Sequence, residues 1–511
     1  MRLVTLVGLV VPLVLLGGAV PALAATTYTV TATVTAGSHP TAVAVNATTN
    51  TVYVINGSSS GGTMSVINGA TNTVTATVTV DSYYPTGVAV NEITNTVYVT
   101  NYRGIHSAGG GSVSVINGVT NTVTATVTFD SFHPTAVAVN ATTNTVFVTA
   151  QYMNAQSGIG GSVSVIDGAT NTVTATLPVD SYFPTGVAVN ATTNTVYVAN
   201  RRSGDGGTMS VIDGATNTVT DTVNVLFGPT SVAMNATTNN VYVTNGSSGG
   251  GTMSVIDGAT NTVTATVTVA GYLSAVAVNA TTNTVYVTNE SSGGGTMSVI
   301  DGATNMVTDT VTVGNGPFGV AVNATTNNVY VTNFGVGFPR QPEADGTVSV
   351  ISMSPGAPVG VSVTSGNGQV SVAFTPPTSD GGSVITGYTV TATDITTPAN
   401  GGQTATGTGS PIVVTGLTNG DSYTFTVTAT NAVGVSAAST ASSAVTPTPP
   451  AVTPTPPAVT PAAVPPARLL LAHSGSELTL PMGLAGLLLT AGLVMFGTTR
   501  LRSRSRTIHS S

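Results

Sequence analysis

The 511 residues include no cysteine, no tryptophan and no lysine, and only 5% of them are charged. Without cysteine there is no disulfide, thiolate nucleophile, cysteine zinc site or c-type haem attachment, so the core must be large enough to hold without staples. Without tryptophan there is no indole to stack on a quinone cofactor. All basic charge resides in ten arginines set against 18 acidic residues, giving a net charge of −8. Five of the ten stand at the extremities (Arg2, Arg500, Arg502, Arg504 and Arg506), which leaves the middle of the chain more acidic still. Nucleic acid is not an expected partner, because neutralising phosphates needs a clustered basic surface. Helical periodicity is also missing from the long middle of the chain.

What is there instead is repetition. The run from Val276 to Asn289, Val-Ala-Val-Asn-Ala-Thr-Thr-Asn-Thr-Val-Tyr-Val-Thr-Asn, recurs in near-copies aligned on Asn46, Asn91, Asn140, Asn190, Asn235, Asn279 and Asn323, 44 to 50 residues apart. Each period reads as four short strands, for example 274–279, 284–289, 296–300 and 306–313, rich in Val, Ile, Thr and Tyr and separated by Asn, Gly and Asp breaks. A period of about 40 to 50 residues with four strands describes a propeller blade, which cannot bury both faces alone. The fourth-strand pattern first occurs at 27–34, ahead of the first complete repeat, whereas the last repeat stops after a third strand at 347–351. Pairing these two orphans would complete the last unit. The expected fold class is all-β, a closed seven-bladed β-propeller over 26–352 followed by a smaller β-sandwich.

Strand alternation sorts the turns into two faces. The Asn-Ala-Thr-Thr-Asn and Asp-Gly-Ala-Thr-Asn turns emerge on one face and hardly vary; the others emerge opposite and differ from repeat to repeat. All four arginines of the repeat region fall in the variable set. Candidate binding residues there are Tyr83, Tyr84, Tyr102, Arg103, His106, Tyr152, Arg201, Arg202 and Arg340, since Tyr and Arg on loops of a rigid scaffold suit recognition. Tolerated loop variation is the alternative reading. The Asn-Ala-Thr triplets match the glycosylation pattern but recur with the turn, so turn chemistry is their first reading. Each repeat offers a single carboxylate at Asp167, Asp213, Asp257 or Asp301, which fits a hairpin turn better than calcium. His39 and His133 precede Pro40 and Pro134 where Tyr84 and Phe183 stand in other repeats, so they read as ring fillers. No nucleophile–base–acid constellation and no cofactor or metal site is read from the sequence.

Val-Tyr-Val-Thr-Asn at 241–245, 285–289 and 329–333, each with a Ser-Val-Ile-Asp-Gly sequence or a variant of it, resembles the YVTN-type β-propeller repeat family. The resemblance implies a seven-bladed fold common on microbial surfaces; it says little about function. Residues 357–447 resemble a fibronectin type III sandwich, with Tyr423 placed as the tyrosine corner, Leu417 ahead of it, and Phe374 where that family usually has Trp.

The ends read as targeting segments. Residues 1–24 look like a secretory signal peptide with Ala22 and Ala24 at the small-x-small cleavage site. Residues 448–470 form a Pro-rich linker favouring extended polyproline II. In 471–506, Leu471, Ala472, His473, Ser474 and Gly475 precede an apolar run at 478–496 and an Arg cluster. This order resembles a Gram-positive sorting signal of the Leu-Ala-x-Thr-Gly type, with Ser474 in place of Thr and Pro481 inside the apolar run. The resemblance implies cleavage between Ser474 and Gly475 by a sortase and attachment to cell-wall peptidoglycan; a plain membrane anchor is the alternative. The expected function is non-catalytic: adhesion to, or binding of, a surface protein or glycan at the cell surface. The other readings are a lactonase-like surface hydrolase and a passive envelope scaffold.

Overall fold

The computed structural model describes residues 28–57, 61–80, 84–102, 110–129, 132–152, 160–179, 183–202, 206–246, 250–291, 294–335 and 345–450. The chain divides into two compact units at Ala451/Val452, and everything described belongs to the first. Among the described residues there are seven antiparallel four-stranded sheets and two three-stranded ones, with one short 3-10 turn and no α-helix.

Six of the four-stranded sheets are consecutive in the chain. In the first, Pro40–Asn46, Thr51–Asn56, Thr63–Asn68 and Thr73–Thr79 pair in that order, and the five that follow repeat the plan at 84–128, 132–178, 183–225, 229–269 and 272–312. The seventh joins both ends of the region: Pro317–Val322, Val329–Asn333 and Asp345–Met353 are completed by Tyr28–Ser38, which runs antiparallel to Asp345–Met353 with Tyr28 opposite Met353 and Val34 opposite Val348. The orphan strands at the two ends of the repeat region thus pair with each other.

The second strand of each sheet explains the continuous apolar runs. In Thr51–Asn56 the side chains alternate: Val52 and Val54 pack with the terminal sheet, Tyr53 and Ile55 with the second sheet. A strand buried on both faces has no polar side, hence Val-Tyr-Val-Ile rather than strict alternation. Seven hydrophobic clusters fill the seven junctions between neighbouring sheets, including the one between the terminal sheet (Val34, Tyr330, Val348) and the first (Val52, Val54, Ile67). The first strands lie side by side in chain order, and that of the terminal sheet abuts that of the first.

The constant turns are organised by asparagine. The Asn ending each first strand is fully buried, and its Oδ1 accepts the N–H groups two and three residues on, as Asn46 does from Thr48 (3.0 Å) and Thr49 (3.2 Å). Its Nδ2 donates to the Oδ1 of the left-handed Asn in the next sheet's turn: Asn46 to Asn95 (2.7 Å), Asn91 to Asn144 (2.7 Å), Asn140 to Asn194 (2.6 Å), Asn190 to Asn239 (2.9 Å), Asn235 to Asn283 (2.7 Å), Asn279 to Asn327 (2.7 Å) and Asn323 to Asn50 (2.8 Å). The left-handed residues have φ between 50° and 59°, a region that Asn tolerates better than most residues. All of them but Asn327 also receive, on the carbonyl, the N–H of the Gly in the second constant turn, as Asn194 does from Gly214 at 2.8 Å. A Cβ at Gly214 would lie 2.7 Å from that carbonyl oxygen, so this Gly is fixed by close approach.

The Asn of Val-Tyr-Val-Thr-Asn is also structural: Asn101, Asn200 and Asn289 donate to Ser114, Ser210 and Ser298 at 2.8–2.9 Å inside the sheet. In the third sheet Ala150 and Phe147 replace this Asn and the Tyr, and both are fully buried.

Two three-stranded sheets, Val359–Ser365/Gln369–Thr375/Ile412–Thr415 and Thr404–Gly407/Gly387–Asp394/Tyr423–Thr430, enclose a core that includes Phe374, Tyr388, Leu417, Tyr423 and Phe425. Tyr423 is fully buried, and its hydroxyl accepts the N–H of Thr418 at 3.0 Å, which is the corner expected there. The last stretch of the sandwich follows a period of three. Ser436, Ser439 and Ser442 donate N–H to the carbonyls of Ala429, Val427 and Phe425, and their Oγ atoms accept the N–H of those same residues at 2.9–3.1 Å.

Replacing Asn235 by Ala removes one inter-sheet bond and two turn bonds from a buried site. The expected loss is about 1–3 kcal/mol of unfolding free energy by urea denaturation, against less than about 0.5 kcal/mol for the exposed Thr77→Ala. Equal midpoints for the two variants would show that the asparagine network carries no net stability.

Candidate functional site

Opposite the constant turns, each first strand begins with a residue placed before a proline or its equivalent: His39, Tyr84, His133, Phe183, Gly228, Tyr272 and Gly316. The prolines are seated against the glycine that opens a neighbouring third strand. A Cβ at Gly207 would stand 2.7 Å from Pro229 Cγ, which explains the Gly-Gly runs before these strands. After the proline, a hydroxyl links neighbouring first strands. Thr86 donates to the carbonyl of Pro134 (3.0 Å), Thr135 to Pro184 (2.8 Å), Thr185 to Pro229 (3.0 Å), Thr230 to Leu273 (2.9 Å) and Ser274 to Pro317 (2.9 Å).

The rim built on this frame is aromatic. Phe183 (44% exposed), Phe227 (48%), Tyr272 (39%) and Phe318 (47%) all stand at or beside the starts of first strands in the fourth to terminal sheets, with Leu226 next to Phe227. Among the described residues these rings are the large aromatic side chains of the exposed hydrophobics; the exposed residues of the constant side and outer strands are aliphatic, such as Ile93, Val119 and Met306. On the other side of the rim the rings stack among themselves: His39 on Phe334 (4.5 Å between centroids) and Tyr102 on His133 (4.3 Å). His133 is buried, and burial holds its imidazole below the ordinary histidine range.

The residues singled out from sequence fall as follows. Tyr84 opens its first strand directly across from Tyr102. Tyr152 ends a second strand, across from Phe132. Arg201 is exposed and pairs in register with Phe183, and exposed Arg202 follows it. Tyr83, Arg103, His106 and Arg340 lie outside the described residues, as do Ala22, Ala24 and the 471–475 segment. The exposed Phe227, Tyr272 and Phe318 are not among the candidates that the sequence points to. Their signal was the departure of the fifth to seventh repeats from the aromatic-Pro-Thr pattern.

The polar inventory of the constant face is committed to turns. Asp167, Asp213, Asp257 and Asp301 each accept the N–H groups of the second and third residues that follow, and Asn68 and Asn117 do the same in the first two sheets. An amide filling the same place shows that the turn does not need a charge. The N–H groups of Ala215 and Thr216 hold the Asp213 carboxyl below its usual range. Among the described residues no group of three His, Asp or Glu side chains stands close enough to hold a metal ion. The Asn-Ala-Thr triplets are closed to glycosylation in the folded chain, since Asn46, Asn140, Asn190, Asn235, Asn279 and Asn323 are fully buried or nearly so.

Residues 356–445 match the fibronectin type III domain model. No curated protein matches the chain. Among solved structures the chain is similar to Kuenenia stuttgartiensis hydrazine synthase, with a TM-score of 0.51 and 15% identity over 61% of this chain and 95% of that one. At that identity the likeness is one of fold and transfers no activity. Among the described residues no helix is long and apolar enough to cross a membrane, and the apolar run at 478–496 lies outside them.

The buried His133 has a pH signature. A histidine whose folded pKa is depressed keeps its full stability above the ordinary value near about 6.5 and loses it as the unfolded chain takes up protons below that. The denaturation midpoint of the wild type is therefore expected to fall between about pH 7 and 5, and His133→Phe to flatten that fall. An unchanged slope in the variant would assign the acid sensitivity to other groups.

Proposed function

We propose that this chain is a non-catalytic surface protein in which a closed seven-bladed propeller of the YVTN type presents its variable, aromatic-rimmed face to a glycan or protein partner. The fibronectin type III domain and the Pro-rich segment act as its stalk, and 471–506 as its wall-sorting or membrane-anchoring tail, with residues 1–24 as the export signal. A sortase is then a transient partner and peptidoglycan the attachment point.

The observation that carries this reading is the polarity of the described unit. The sandwich meets the repeat region at Met353, where the constant turns emerge: Met353 N–H donates to the Gly381 carbonyl at 2.7 Å, and Asn327 of a constant turn donates to Ser379 Oγ at 2.9 Å. The chain then leaves by the far end of the sandwich, where Val445 pairs with Tyr423 and the Thr448 N–H reaches the Gly366 carbonyl. Sandwich and rim therefore lie on opposite sides of the repeat region. The sandwich leaves the rim uncovered, and the exposed aromatic rings there can be reached by a partner. Aromatic faces of this kind suit sugar rings and protein hot spots alike.

The test is a binding screen of the full chain against cell-wall fractions, matrix proteins and a glycan array. Phe183→Ala/Tyr272→Ala/Arg201→Ala and the constant-face variant Thr216→Ala are run alongside. Saturable binding weakened about tenfold or more by the first and untouched by the second is expected. Binding that ignores the rim variant, or turnover of a lactone or ester by the wild type, would overturn the assignment.

A further inference from the structure

We infer that the fibronectin-like sandwich is the latch of the ring: it docks on the sheet that joins both ends of the repeat region and holds that sheet closed. The inference rests on the closed-ring reading above.

The seam is where the hydroxyl links between first strands fail. In five junctions a Thr or Ser hydroxyl reaches the neighbouring Pro or Leu carbonyl. Phe318 occupies that position in the terminal sheet and has no hydroxyl to offer Pro40, and the Thr41 hydroxyl oxygen is buried without a hydrogen-bond partner. Both junctions that flank the first sheet are thus short of a bond on the rim side, and one of them is the junction where the two ends of the chain meet.

On the opposite side the same sheet gains bonds from the sandwich. Asn431, buried beyond the end of Tyr423–Thr430, donates Nδ2–H to the carbonyls of Met353 (2.9 Å) and Asp380 (2.7 Å), while its Oδ1 accepts the N–H groups of Val433 and Gly434. Both backbone groups of Met353, the last residue of its strand, are therefore held by the sandwich, the N–H by Gly381 and the carbonyl by Asn431. Gly356 N–H reaches the Ser379 carbonyl at 3.0 Å, so the connecting segment is itself pinned.

Asn327 links the latch to the asparagine cycle, accepting from Asn279 and donating to Ser379. Asn328 accepts the Ser352 hydroxyl at 2.7 Å, and Ser352 lies 3.0 Å from Thr31 Oγ1 in the strand contributed by the amino-terminal end. The fit depends on glycine. Gly381 has φ +74° and Gly382 φ +81°, and a Cβ on Gly381 would stand 2.6 Å from the Ser354 carbonyl oxygen. In this arrangement a pull on the stalk enters the ring through the latch, at the sheet whose pairing keeps the ring shut.

Hydrogen exchange on the full chain tests this. In the wild type the amides of Tyr28–Ser38 and Asp345–Met353 should be as protected as those of the fourth sheet, 183–225. Asn431→Ala strips buried carbonyls of their donor, and exchange in the terminal sheet is expected to rise about tenfold or more while the fourth sheet stays unchanged. Ser379→Ala, which removes the acceptor of Asn327 and of the Gly381 N–H but leaves the Asn431 bonds in place, is expected to move the same amides by a smaller factor and covers the case in which the first variant fails to fold. A protected wild-type seam that neither variant loosens would overturn the latch and leave the closed ring standing. A seam that exchanges freely in the wild type would overturn the closed ring itself.

Discussion

One primary amide, used twice, underlies the arrangement of the repeat region. The Asn that closes each first strand folds its own turn with its carbonyl oxygen and ties that turn to the next sheet with its nitrogen. A serine or aspartate could accept the turn bonds, but neither supplies an amide donor for the neighbour; a lysine would bring a charge to a fully buried place. The recipient must itself be an Asn in the left-handed region, because it has to end a tight turn and offer an oxygen at once. Thus Asn-Ala-Thr-Thr-Asn recurs as a unit, and the seventh bond, from Asn323 to Asn50, joins residues at opposite ends of the repeat region. Satisfied amides inside a low-dielectric interior polarise one another, which makes the network stiff and a half-made version costly.

That constraint divides the protein into two sides with different freedom. The asparagines of the constant side cannot vary without breaking a turn and a junction together, and most of the variation between repeats falls in the opposite loops. The sandwich docks on the constant side through Asn327 and Met353. The proposed binding role follows from the same asymmetry, because substitutions such as Phe183, Phe227 and Tyr272 occur where the fold does not depend on them.

Much of the fold was legible in the sequence because its determinants are local or periodic. The 44–50-residue period, the alternation within strands and the two orphan strand patterns at 27–34 and 347–351 sufficed to anticipate the pairing of Tyr28–Ser38 with Asp345–Met353. Tyr423 and Leu417 were readable for the same reason, as a short-range motif. The amide cycle was not, since a turn asparagine looks the same whether or not another turn some 50 residues on receives its nitrogen. Nor was the serine ladder of Ser436, Ser439 and Ser442, whose period of three matches neither a strand nor a helix. At the rim, composition pointed to Tyr and Arg, but exposure is set by which loops rise beside a ring. Tyr102 ended up stacked on His133, while Phe318 ended up in water.

The outer strands pose the remaining physical problem. Thr-Val-Thr-Ala-Thr-Val-Thr at 73–79 and 122–128 is uncharged, rich in strand formers and reads the same in both directions, so an antiparallel partner of equal sequence would match it residue for residue. In each of the six consecutive sheets a bulge interrupts the outer pair at the same place. Val66 faces Ala76 and Ile67 faces Val74, leaving Thr75 as the extra residue, and its hydroxyl turns back to the Val66 carbonyl at 3.2 Å. The same back-bond recurs from Thr124, Thr174, Thr220, Thr264 and Thr308. A bulge adds twist and puts the free edge out of register with a regular strand for part of its length. Three of the six carry a further block, Pro178 at the end of one outer strand and Asp221 and Asp309 at the centres of two others, where self-pairing would set carboxylate against carboxylate. A chain with no lysine to guard its edges thus guards them by backbone geometry, and the small, branched threonine that suits the strand also supplies the hydroxyl that satisfies the carbonyl at each bulge.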